Sequence, residues 1–174
     1  AIAPESLASA FGISLSTTFK AAVSVPLPTE LEGTSIKVKD SNGTERTAPL
    51  LFVSPAQINY QIPAGTSAGK AIVSILINGT VVSSGELNVA ATAPGIFSAT
   101  SDGKGWAAAN VVYVKGAQQI WQSVTRFDTA QNKFVAEPII LGTDPAVLVC
   151  YGTGVRNRTN LSNVKAKVAG VDVT

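Results

Sequence analysis

The chain has 174 residues and a mass of 17.8 kDa, with 13 basic and 11 acidic side chains for a net charge of +2. Hydrophobic residues make up 45% and charged residues only 14%, which excludes a disordered chain, since disorder needs high charge and few apolar residues. The near-neutral balance gives no basic surplus for nucleic acid, and the absence of histidine removes the usual general base and the commonest metal ligand.

Short apolar runs separated by turn residues follow one another along the chain. Residues 6–15 form a mixed apolar run, and residues 25–33, with Pro26 and Pro28, read as a connector or sheet edge. Residues 34–40 alternate Ile36 and Val38 with Lys37 and Lys39, the pattern of a strand with one wet face. Asn42-Gly43 marks a tight turn, and residues 47–54 and 57–63 are two further strands joined through Pro55. Residues 65–71 (GTSAGKA) hold a Gly and a Lys but lack the full phosphate-loop pattern and precede a strand rather than a helix. In residues 71–89 two apolar runs flank Asn78-Gly79, the clearest hairpin signature in the chain.

Residues 90–94 read as a linker. Beyond it lie a short run at 95–99, a Gly-rich turn at 102–105, and a second hairpin over 106–124 that turns at Lys115-Gly116-Ala117. Runs at 138–142, 145–154 and 164–173 complete the chain. Strands at this spacing predict an all-β chain: an immunoglobulin-like β-sandwich over 1–92, then a second, incomplete β-sandwich over 93–174. No apolar stretch approaches the roughly 18 residues of a membrane span, so no insertion is expected. The single cysteine, Cys150, permits no intrachain disulfide and reads as a small buried thiol within an apolar run. The sequence starts at Ala1 with no methionine and no basic-then-apolar segment, which suits either an exported chain whose signal peptide has been removed or a trimmed one, and export is the expectation.

Two pairs of segments are alike: 3–16 with 144–157, and 31–40 with 161–172. In the first copy they lead into the strands at 50–53 and 58–62 and the Asn78-Gly79 hairpin, which the second copy lacks. The segments at 47–63 (TAPLLFVSPAQINYQIP), 93–99 (APGIFSA), 103–110 (GKGWAAAN) and 145–155 (PAVLVCYGTGV) resemble the Solibacter-type uncharacterised C-terminal domain. That family ends large secreted proteins of acidobacteria and is similar to the IPT/TIG immunoglobulin-like modules. The resemblance covers nearly the whole chain. It implies an extracellular or cell-surface β-sandwich and carries over no catalytic residue. Family members usually continue with a second copy of the strand set at 50–62, which this sequence does not contain.

The residues offer little chemistry. Histidine-based nucleophile activation is excluded, and no G-x-S-x-G elbow occurs. Glu30 and Glu32 are close but share a solvated face, and Asp40 and Asp102 are isolated turn acids rather than a calcium cluster. The chain is therefore expected to be no enzyme and to need no cofactor or metal. Trp106, Tyr113 and Trp121 are candidate ligand-platform residues for a glycan, beside the plainer reading that they pack the sheet. Asn42, Asn78, Asn157 and Asn160 begin glycosylation sequons and read most simply as turn residues. A Lys–Asn crosslink is open in principle, with no pair selected by the sequence.

Two functions follow as expectations. One is a noncatalytic structural subunit, a filament or surface-layer module that fills its incomplete sandwich with a strand from another copy, residues 1–15 or 164–174 being the donors. The other is a monomeric cell-surface adhesion or spacer domain that binds a glycan or surface protein through the turn at 102–105 and a loop at 125–137.

Overall fold

Alternation at residues 34–39 sets the first sheet: Thr34, Ile36 and Val38 are buried, whereas Ser35, Lys37 and Lys39 face outward. The structure, a computed structural model, describes residues 1–168 and 170–173. The chain is all-β, with no α-helix among the described residues. It divides into two compact units, Ala1–Pro94 with Gly154–Thr174, and Gly95–Thr153.

The first unit is a β-sandwich. Its strands are β1 (Leu7–Phe11), β2 (Lys20–Ala21), β3 (Glu30–Leu31), β4 (Thr34–Lys39), β5 (Glu45–Thr47), β6 (Leu50–Val53), β7 (Gln57–Gln61), β8 (Gly69–Ile77) and β9 (Thr80–Val89). One sheet has the order β1-β7-β6-β2, the other β3-β4-β8-β9 with β5 also paired to β4. All pairings between these strands are antiparallel. Ile36, Val38, Leu50, Val53, Ile58 and Ile62 are fully buried where the sheets face each other. The N-terminal segment serves both sheets. Ile2 bridges Val89 in parallel, Glu5 turns at φ 63°, and Leu7–Phe11 then pairs antiparallel with β7.

The two Asn-Gly turns differ. At β8–β9 both Asn78 and Gly79 have positive φ, as a two-residue I′ hairpin demands. At residues 40–44 only Gly43 does, because the Asp40 carbonyl accepts from the Gly43 N–H and the loop closes one residue wider, from the Asp40 N–H to the Thr44 carbonyl.

The second unit holds β10 (Gly95–Ile96), β11 (Ala109–Lys115), β12 (Gln118–Ser123), β13 (Thr125–Asp128), β14 (Lys133–Ala136), β15 (Ala146–Cys150) and β16 (Gly152–Thr153). Its largest sheet has three strands, β12-β11-β15; β13–β14 and β10–β16 are separate pairs. The segment at 125–137, expected as a loop, is instead this β13–β14 hairpin, fixed by an edge-to-face contact of Phe127 on Phe134 at 5.4 Å. Arg126 pairs across it with Glu137 at 3.1 Å.

Residues after 153 return to the first unit, where the sequence suggests one boundary at 92/93 and a second unit running to the end. The Ala93 N–H donates to the Gly154 carbonyl at 3.0 Å, and Arg156 pairs with Glu5 at 2.8 Å. Asn157 Nδ2 donates to the Pro4 carbonyl at 3.2 Å. A 3₁₀ turn (Leu161–Asn163), β17 (Ala166–Val168) and β18 (Val171–Val173) complete this tail. Both segments expected as strand donors are paired within their own chain, 7–11 with β7 and 166–168 with 171–173.

Candidate functional site

The three-stranded sheet of the second unit is apolar on both faces. Directly opposed residues of antiparallel strands project to the same side, and successive residues to opposite sides. Val112 therefore shares one face with Trp121 and Val147, while Val111 shares the other with Leu148 and Gln122. Tyr113, Ile120 and Ala146 extend the second face. This is the composition of strands meant to be covered on both sides. Only the central strand is covered: Val111 and Val112 are buried, whereas Ile120, Trp121, Val147 and Leu148 remain between 45% and 55% exposed. Among the described residues no further strand pairs with the outer edge of β12 or of β15.

The candidate aromatics do not share a surface. Tyr113 and Trp121 project from opposite faces of this sheet, and Tyr113 is half-buried with its hydroxyl enclosed and lacking a hydrogen-bond partner. Trp106 precedes the hairpin, which begins at Ala109 rather than at 106; its carbonyl accepts from the Ala99 N–H at 2.8 Å. Trp106 and Trp121 are each about half exposed.

Cys150 is exposed, against the buried thiol read from its apolar neighbours. The reason is its place at the end of β15, an outer strand that nothing covers among the described residues.

The isolated acids organise turns. Asp40 is buried, and its carboxylate accepts from the backbone N–H groups of Asn42 and Thr44 at 3.0 Å and of Ser67 at 3.1 Å, and from Arg46 at 2.7 Å. The Ser67 N–H first, then Arg46 and the other two N–H groups, hold its pKa down to about 2 against the opposing effect of burial. Asp102 caps its own loop, accepting from the Thr100 hydroxyl and the Lys104 N–H, and these bonds lower its pKa. Glu30 and Glu32 are exposed, with Glu32 paired to Lys20 at 3.3 Å. Among the described residues no group of three or more Cys, Asp or Glu side chains is placed to hold a metal ion.

Of the sequon asparagines, Asn42 donates to Ser67 Oγ and Asn160 accepts from the Ser162 N–H, both turn contacts. Among the described residues no helix is long and apolar enough to cross a membrane. Comparison of the chain with family models, with curated proteins and with solved structures gives no match.

Proposed function

We propose that the chain is a noncatalytic extracellular structural module that assembles with further copies of itself. The observation that carries this reading is its surface. The chain exposes 10877 Å². A compact monomer of this mass exposes roughly 8,000 Å², and two separate globules of the sizes of its units roughly 9,500 Å². The surplus exceeds the ~800 Å² per partner that a stable interface covers. Exposed apolar side chains contribute in both units: Ile13, Val23 and Val25 in the first, and in the second Ile120, Trp121, Val147 and Leu148, which stand half exposed beside two sheet edges unpaired among the described residues. Such surface is an aggregation hazard in a monomer and an interface in an assembly. The extracellular assignment rests on the resemblance to secreted modules and on the sparse charge. Light scattering across a hundredfold dilution tests the reading: a species several times 17.8 kDa that persists on dilution supports it, and a monomer throughout removes it.

A second reading, a monomeric adhesion or spacer domain, draws on the exposure of Trp106 and Trp121. Loss of a glycan-array signal in Trp121→Ala, with the fold retained, would favour it.

A further inference from the structure

One side of the first sandwich is open. The sheets end there on β1 and β9, and several inward-facing residues at these edges are small, Ala8 and Ala10 on β1 and Ser83 and Gly85 on β9, with Leu87 beyond them. Their partners across the strands, Tyr60, Ile58, Ile75 and Val73, are buried. Small side chains on both edges leave a groove of about 500 Å³ floored by Leu15, Tyr60, Val73 and Ile75. A Cβ built on Gly85 meets nothing within 4 Å, so the space beside β9 is empty. The rim supplies hydrogen bonds. Asn88 and Ala90 point their backbone groups outward to Ile2. Strand alternation therefore turns the N–H and C=O groups of Ser84 and Glu86 the same way, where no strand pairs with them among the described residues.

A groove with an apolar floor and a free backbone rim fits an extended apolar segment. We infer that residues 138–142 (PIILG) of a second copy fill it as a strand added to β9. This assignment rests on the self-assembly reading above. The segment is apolar, unpaired among the described residues and exposed, with Ile140 and Leu141 each at least 75% accessible. It is uncharged, and so are the floor residues Leu15, Tyr60, Val73 and Ile75; the charged Glu86 lies on the rim, where its exposed side chain pairs with Lys70 at 2.9 Å. Another exposed run, 164–168, carries Lys165 and Lys167, which would have to enter an apolar cleft.

In an inserted strand Ile139 and Leu141 project together into the groove and Ile140 outward. Pro138 stands at the strand's first position, where a missing N–H is tolerated. The groove lies in the first unit and the segment in the second, and the self-assembly reading assigns the occupant to a second copy. Each chain then carries one donor in the second unit and one acceptor in the first. Head-to-tail contacts of this kind do not close on a two-fold axis and propagate as a filament.

Complementary variants test the arrangement in the full chain. Gly85→Leu fills the acceptor, and its backbone φ lies outside the left-handed region, so the strand accommodates the side chain. Leu141→Asp spoils the donor at an exposed position. Each variant alone is expected to lose association by roughly 100-fold or more and to sediment as a folded monomer. Mixed one to one, the intact donor of the first and the intact acceptor of the second form a heterodimer that cannot extend. Variants that assemble as the unaltered chain does, or a mixture that stays monomeric, overturn this assignment while leaving self-assembly standing. An unaltered chain that is itself monomeric removes both. Circular dichroism of each variant confirms that lost association is not lost folding.

Discussion

The hairpins β8–β9 and β11–β12 are built alike and end differently. Each runs apolar residues along antiparallel strands and closes with a glycine at positive φ, Gly79 in one and Gly116 in the other. In β8–β9 the residues Ala71, Val73 and Ile75 face Leu50, Val53 and Ile58 of a second sheet, and all six are buried. In β11–β12 Val112 is buried, yet Trp121 beside it is half exposed, because the second unit has only two-stranded pairs in place of a facing sheet. Strand formation and pairing are thus local properties of the sequence. Cover is supplied by distant strands, and the second unit has too few of them.

The comparison breaks most readily in the cores. Ile36→Ala removes a fully buried side chain from between two sheets and should cost about 2–5 kcal/mol, whereas Leu148→Ala in the monomer should cost under about 1 kcal/mol. Both tryptophans lie in the second unit, so tryptophan fluorescence during urea unfolding follows that unit alone while circular dichroism follows the whole chain. Equal losses for the two substitutions would mean that the second unit holds a core as closed as the first.

A smaller contrast concerns acid. Asp40, in the first unit, has its pKa held at about 2, below the ordinary 3.8, so the folded state binds its proton less readily than the unfolded chain does. Its contribution is complete above about pH 4 and is lost as the pH falls towards 2. Asp40→Asn should flatten the loss of first-unit stability over that window. A variant whose acid transition matches that of the unaltered chain would show that the turn's hydrogen bonds do not depend on the charge.

Much of this organisation is legible in the sequence. Alternation marks β4, Asn78-Gly79 marks its hairpin, and the spacing of the runs marks an all-β chain. What escapes is what depends on distant partners. Cys150 lies in a run as apolar as any core strand, but its exposure depends on whether another sheet covers β15, which no local pattern encodes. The return of residues 154–158 to the first unit rests on Arg156 meeting Glu5 and Asn157 meeting Pro4, contacts across some 150 positions. The groove was readable only in part. Ala8, Ala10, Ser83 and Gly85 are visibly small, but their convergence needs the knowledge that β1 and β9 end the two sheets on one side.

The finest test sets two glycines of β9 and its turn against each other. Gly79 sits at φ +79°, where a Cβ is strained whatever the space around it, so Gly79→Ala should destabilise the first unit by about 1 kcal/mol. Gly85 lies six residues further along in ordinary strand geometry, and its Cβ would enter the empty groove. There Gly85→Ala should stabilise by roughly 0.5–1 kcal/mol, through lower entropy of the unfolded chain. Measured in a Leu141→Asp background to keep the chain monomeric, the two substitutions are expected to shift the first-unit urea midpoint in opposite directions. A loss at both positions would mean that the backbone at Gly85 is as constrained as the turn, and that the groove is narrower than a strand requires.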